Sequence, residues 1–267
     1  MTRLKEEWVI SIGQEIDIYE KELRDKTGMG LLDLALFVQD RNREDSIEKL
    51  KGAQVAVVPV TAGAGVIGNF SQSVAGILRA MGADVFVTDQ TDVAGIREAA
   101  QRGASILFMA DDDAYIALNR RTGAFADNNK ATAAGFVTVL EQMSGGLQNQ
   151  EVLVMGYGTV GAMVAGILRD KGARVTVFDK GEDARARAES EGLMTFASAD
   201  RIQSYNHILD ATSEGGWIHP GQLSDTVWMA SLGVPLSLDS EAAEMYKERV
   251  VYDYLEIGTA VMLGRVL

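Results

Sequence analysis

Three glycines and one acid carry the clearest chemical signal in this chain. Gly156, Gly158 and Gly161 stand at G-x-G-x-x-G spacing between an apolar run and a small-residue helix, and Asp179 closes the next apolar run. A bound dinucleotide needs this set. The first glycine permits a tight strand-to-helix turn. The second lets a pyrophosphate approach the backbone, and the third lets the helix pack on the strands. The amides of Thr159, Val160 and Gly161 then offer free N–H groups and a partial positive charge to phosphates. A carboxylate at Asp179 would accept both ribose hydroxyls and repel a 2′-phosphate, so NAD is expected over NADP, with Lys180 softening that preference slightly.

Ligands of open α/β sheets bind beyond the carboxyl ends of the strands. Further candidates therefore stand at strand ends. Thr212, Ser213, Leu232 and Gly233 follow two later apolar runs and extend the cofactor set. Asp111 directly follows the run ASILFMA, where a carboxylate facing a cleft could bind an ammonium group and shuttle its proton. Asp112 and Asp113 read as helix-starting acids. The TAGAG loop at 61–65 is a second backbone cradle, suited to an anion such as a substrate carboxylate, with Asn69 adding a side-chain amide. His207 and His219 form no defensible pair, so neither a metal nor a triad is expected.

The elements that must position these residues are legible as period and composition. Trp8, Ile12, Ile16, Tyr19 and Leu23 recur at helical steps, so residues 4–26 read as one amphipathic helix, capping the core and broken by Gly28 and Gly30. Helices over 31–39 and 43–51 follow. Strands over 54–60, 83–89 and 104–110 then alternate with helices over about 70–81 and 93–102. Apolar runs separated by helices indicate parallel strands with right-handed crossovers. A helical link over 131–145 leads to the cofactor unit, with strands at 151–155, 174–178, 194–196, 207–212 and 226–233. The segment 241–267 reads as helix-rich and apolar enough to be buried. The expected class is α/β with two parallel-sheet domains. Residues 1–146 form a substrate-binding domain, and residues 147–267 form a Rossmann-type NAD domain with a C-terminal helix.

Composition bounds the rest. The 267 residues are 47% hydrophobic and 24% charged, ordinary for globular proteins. Cysteine is absent, which excludes disulfides, thiolate metal sites and a cysteine nucleophile and fits a reducing cytosol. The N-terminus has no unbroken apolar stretch of a signal peptide, and no apolar run reaches the roughly 18 residues of a membrane span. A cytoplasmic protein with no membrane partner is expected. The net charge of −13 argues against a nucleic-acid partner, whose phosphates are bound mainly by Lys and Arg. It suits a cationic small-molecule substrate such as an amine, although most of the acids read as solvated surface. A homo-oligomer is compatible with all of this.

VVPVTAGAGVIGNFSQS (57–73), FVTDQTDVAG (86–95), FMADDDAYIALN (108–119), VLVMGYGTVG (152–161) and EIGTAVMLGRVL (256–267) together resemble the pyrrolysine synthase family, the dehydrogenases of the last step of pyrrolysine biosynthesis. The likeness runs over nearly the whole chain in the same order, including Thr27-Gly28. It implies a substrate in which the ε-amine of lysine is acylated by 3-methyl-D-ornithine. NAD would take hydride from the carbon bearing the terminal ornithine amine. The imine would lose ammonia by hydrolysis, and the α-amine would close on the resulting semialdehyde, with loss of water, to form the pyrroline ring. By position, Asp111 matches the cleft acid that would hold the reacting amine. Asn69, Phe70 and Asn128 match substrate-pocket positions, and Leu4 lies on an N-terminal helix implied to close over the ligand. Ala62 departs from the Ser of archaeal relatives, leaving backbone N–H groups as the expected donors there.

Two other functions fit the same cofactor unit. A dehydrogenase of another amine or amino acid would turn over simple amino acids as fast as the lysine–ornithine amide. A non-enzymatic NAD-binding regulator would bind cofactor without turnover, and its DNA-binding form would need a basic face.

Overall fold

The alternation of apolar runs and helical periods becomes two sheets and a helical seam. The computed structural model describes residues 4–267. The first helices are α1 (Glu6–Val9), α2 (Ile12–Thr27), α3 (Leu31–Val38) and α4 (Arg43–Lys51). The one helix expected over 4–26 is thus two. The Val9 carbonyl, which a continuous helix would offer four residues ahead, instead accepts from Ser73 Oγ at 2.6 Å. The break falls at Ile10 and Ser11, between α1 and α2. Gly28 then caps α2 at φ +76°, a left-handed conformation that costs glycine nothing.

Next come β1 (Gln54–Pro59), α5 (Phe70–Ala80), β2 (Asp84–Val87), α6 (Asp92–Gln101), β3 (Ile106–Ala110), β4 (Tyr115–Asn119) and β5 (Phe125–Asp127). The sheet order is β2-β1-β3-β4-β5. Strands β1, β2 and β3 are parallel, as the crossovers demand. β4 and β5, unread in the sequence, are antiparallel and make this sheet mixed. The hairpin between β3 and β4 turns at Asp111–Asp113, so Asp112 and Asp113 start no helix.

The linking helix α7 (Asn128–Ser144) begins three residues before the expected start. The Asp127 side chain caps it, accepting from Lys130 N at 3.2 Å. Beyond it lie β6 (Glu151–Met155), α8 (Thr159–Asp170), β7 (Arg174–Phe178), α9 (Glu182–Ser190), β8 (Met194–Phe196), β9 (His207–Asp210), β10 (Trp228–Ser231), α10 (Ser240–Met245), β11 (Val250–Tyr252) and α11 (Glu256–Val266). The all-parallel order β11-β10-β9-β6-β7-β8 is the doubly wound Rossmann arrangement, with its switch point between β6 and β9. The segment 241–267, read as helical, also contributes edge strand β11.

The seam between the sheets is α7 and α11. Helix α11 packs on α3, α7 and α5 and on strands β4 and β5. It approaches closely because glycines face the contacts. A Cβ at Gly264 would lie 2.8 Å from the Ala35 carbonyl, and one at Gly135 would lie 2.3 Å from Ile257. Ile257, Val261, Met262 and Leu263 are fully buried, at roughly 2 kcal/mol for each such side chain. One apolar cluster therefore runs from the first sheet through this seam into one face of the second. No helix among the described residues is long and apolar enough to cross a membrane.

Candidate active site

The carboxyl ends of β1, β3, β6, β9 and β10 open onto one cavity of about 480 Å³. That is the usual size of a small-ligand site. From the second sheet, Gly158, Thr159, Val160 and Gly161 line it, with Thr212, Ser213, Leu232 and Gly233. From the other side come Leu4, Phe70, Asp111 and Asn128. Four expected residues lie outside its lining: Ala62, Asn69, Gly156 and Asp179.

The glycine turn has the features that a dinucleotide needs. Gly156 takes φ +84°, and a Cβ there would meet the Ala211 carbonyl at 2.9 Å. A Cβ on Gly161 would overlap the Gly156 carbonyl at 2.0 Å, so only glycine lets α8 sit this close. Gly158 faces open space, with nothing within 4 Å of its missing Cβ. No side chain caps α8. Its first-turn amides, which have no intrahelical acceptor, are left for an anion at the cavity edge. At the end of β7, Asp179 accepts from Tyr157 N through Oδ2 and from Gly181 N through Oδ1, both at 2.7 Å. The acid therefore also braces the glycine turn. Arg185 donates to the carbonyls of Asp179 and Lys180, and Lys180 pairs with Glu214.

The opposite wall differs from expectation in one respect. The loop at 61–65 is not wholly open to an anion, because protein carboxylates already take two of its amides. Asp92 accepts from Thr61 N and Thr61 Oγ1 at 2.8 and 2.6 Å, and Asp112 accepts from Ala64 N at 2.6 Å. The Thr61 bonds hold the Asp92 carboxyl below the usual carboxylate range. Asn69 sits at φ +60° and spends its amide on Glu6 Oε1 at 3.0 Å, tying the loop to α1. Ala62 is exposed and lies off the cavity lining.

Asp111 is anchored on the turn after β3. Its Oδ1 accepts from Asp113 N and Ala114 N at 2.9 and 2.8 Å, which fixes the carboxylate on the hairpin turn. Its Oδ2 has no protein partner among the described residues. Phe70 packs edge-on against Tyr115, whose hydroxyl shares a 2.8 Å hydrogen bond with Thr259 on α11. Tyr115 and Tyr254 both line the cavity, and neither was singled out in the sequence. The alternation YIALN places Tyr115 inward and was the available signal. Tyr254 stacks on Trp8 of α1 with centroids 6.0 Å apart, so α1 rests on two walls of the site.

Behind Tyr254 lies a buried acid pair. Asp253 Oδ2 accepts from Tyr19 Oη at 2.7 Å and from Ile257 N at 3.1 Å. Glu256 Oε2 accepts from Tyr254 N and Leu255 N at 3.1 and 2.8 Å. Burial, and then the charge of Glu256, push the Asp253 carboxyl well above its ordinary range. Native Asp253 thus keeps a proton that the unfolded chain has released. Stability then falls as pH rises from the ordinary carboxylate range toward the raised value. Asp253→Asn keeps the acceptor for Tyr19 and removes that penalty. It should raise stability by about 1 kcal/mol or more near pH 8, and by much less near pH 4, in thermal melts. A lower melting point at the higher pH would contradict the penalty.

Residues 9–126 match the family model of the pyrrolysine biosynthesis protein PylD, N-terminal domain. Residues 146–213 match the acetohydroxy acid isomeroreductase NADPH-binding domain. The chain is 36% identical to a pyrrolysine synthase of Methanosarcina barkeri, covering 80% of this chain and 81% of that protein. It is 33% identical to a pyrrolysine synthase of Methanosarcina acetivorans, covering 80% and 82%. Among solved structures, a quinate dehydrogenase from Corynebacterium glutamicum in complex with NAD superposes with a TM-score of 0.52 at 14% identity, covering 80% of this chain and 93% of that one. That last likeness is one of fold.

Proposed function

The chain belongs to the pyrrolysine synthase family, and on that premise we propose that it oxidises the terminal amine of a lysine-Nε-3-methyl-D-ornithine amide with NAD, releasing ammonia and closing the pyrroline ring. The observation that carries this reading is a single cavity shared by the glycine turn at 158–161 and the Asp111 carboxylate. A nicotinamide cofactor held by the glycine turn and the loops after β9 and β10 would supply hydride-acceptor chemistry at the carbon that bears the amine.

The chain's own residues supply position and proton handling. Gly158, Thr159, Val160 and Gly161 would hold the pyrophosphate, and Asp179 the adenine ribose. Thr212, Ser213, Leu232 and Gly233 would line the reacting end. Asp111 turns an acceptor oxygen on an anchored turn toward the cavity. There it would hold the amine and take its proton, directly or through a water. Phe70 and Asn128 would shape the substrate side, and Leu4 would cover it from the N-terminal end. Holding the donor carbon against the ring is the main catalytic task.

The test is absorbance of NADH with purified protein, NAD and the lysine–methylornithine amide, with product mass followed in parallel. Growth of NADH together with a mass showing loss of hydrogen and ammonia and ring closure is expected. Cofactor binding without any NADH would reject the substrate assignment. Equal rates with simple amino acids would move it to a general amine dehydrogenase.

A further inference from the structure

At the end of β9 a carboxylate is wholly enclosed. Asp210 is 0% exposed. Its Oδ1 accepts from Thr212 N at 2.9 Å and Thr212 Oγ1 at 2.7 Å, and its Oδ2 accepts from Ser231 Oγ at 2.8 Å. Its backbone carbonyl accepts from Leu232 N and Gly233 N, both at 2.9 Å. One residue thus ties the loop after β9 to the loop after β10. The two loops are pressed together: a Cβ on Gly233 would lie 2.3 Å from the Thr212 carbonyl. Both loops line the cavity.

The chemistry of this knot exceeds what packing requires. Enclosing a carboxylate costs several kcal/mol unless its lone pairs are well satisfied. Here the partners are hydroxyls and amides, not cations, and all of them donate. Burial pushes the Asp210 carboxyl up, while these bonds pull it back down. Burial leaves its proton affinity raised overall, and an ionised Asp210, satisfied but not cancelled by neutral donors, would make this corner of the cavity negative. The corner also has a definite place on the sheet. Strands β9 and β10 lie on the opposite side of β6 from β7, which carries Asp179. In a doubly wound sheet a dinucleotide lies across the switch point, so an adenosine half at Asp179 leaves the other half at these loops. An oxidised nicotinamide ring is cationic and a reduced one is neutral.

We propose that Asp210 is a positioning residue that locks these two loops together and biases the cavity toward the oxidised, cationic form of the cofactor. This rests on the nicotinamide reading above and adds a preference to it, since a site that binds the oxidised form more tightly exchanges spent, reduced cofactor for oxidised cofactor between turnovers.

Binding of oxidised and reduced NAD, measured by titration calorimetry without substrate, tests it. In Asp210→Asn, which can keep the Thr212 bonds through its amide oxygen, oxidised NAD should weaken relative to reduced NAD on the order of tenfold. A purely structural role would weaken both forms by the same factor, and that result would overturn the proposal. A second readout needs no substitution, so a variant that fails to fold does not shield the idea. The unmodified protein should bind oxidised NAD at least as tightly as reduced NAD. Tighter binding of the reduced form would overturn the bias. If the unmodified protein bound neither NAD nor NADP in either form, the cofactor assignment itself would fall. An unchanged ratio with both forms bound would remove only the role of Asp210.

Discussion

Asp111→Asn is expected to lower kcat/KM by about two to three orders of magnitude while cofactor affinity and melting temperature stay within error. The substitution separates scaffold from chemistry at this position. An asparagine oxygen can still accept from Asp113 N and Ala114 N, so the turn after β3 keeps its shape. The atom that replaces Oδ2 is an NH2 group. It donates where the carboxylate accepted, and it meets an ammonium or amine with the wrong polarity. It also removes the carboxylate proposed to take the substrate's proton. The glycine turn and the loops after β9 and β10 are untouched, which is why cofactor binding should survive. Steady-state kinetics with calorimetry on the same preparation decides it. A parallel loss of cofactor affinity would mean that Asp111 shapes the site as a whole. Near-normal turnover would remove it from the reaction.

Asp179→Ala is expected to shift the NAD-to-NADP preference, taken as the ratio of kcat/KM values, by about one to two orders of magnitude toward NADP. Two effects add. The ribose hydroxyls lose a charged acceptor, at about 1.5–3 kcal/mol per bond, and a 2′-phosphate loses a repelling neighbour. Arg185, bonded to the carbonyls of Asp179 and Lys180, stays nearby as a cation. The match of residues 146–213 to an NADPH-binding domain makes this comparison informative rather than formal. The ratio is the right readout because Asp179 also accepts from Tyr157 N and Gly181 N. Loosening of that turn lowers both cofactors together and cancels. An unchanged ratio would leave Asp179 as a brace of the glycine turn alone.

Much of this protein was readable from local pattern. The spacing of Gly156, Gly158 and Gly161 reports backbone conformation and close approach, which depend on residues near in sequence. Apolar runs such as 54–60 and 151–155 announce parallel strands because both faces of such strands are buried. The acid at a strand end, Asp111, was legible for the same reason, since a strand end in this class is a ligand edge.

What tertiary structure alone decided are the pairings between distant residues. The glycine-rich loop at 61–65 looks like an anion site in sequence, yet Asp92 and Asp112 reach in from elsewhere and take the amides of Thr61 and Ala64. The helix over 4–26 has an unbroken apolar period, yet Ser73 claims the Val9 carbonyl and divides it. β5 spans three residues and β4 offers only the brief alternation YIALN, and the two pair because β3 presents an edge to them. Asp210, Asp253 and Glu256 look like surface acids in an acidic chain. Their burial, and the raised proton affinity that follows from it, arise only when β9, β10, α2 and α11 close around them. Residue type and spacing fix local conformation, but a carboxylate's solvation, and therefore its chemistry, is set by whatever the fold brings beside it.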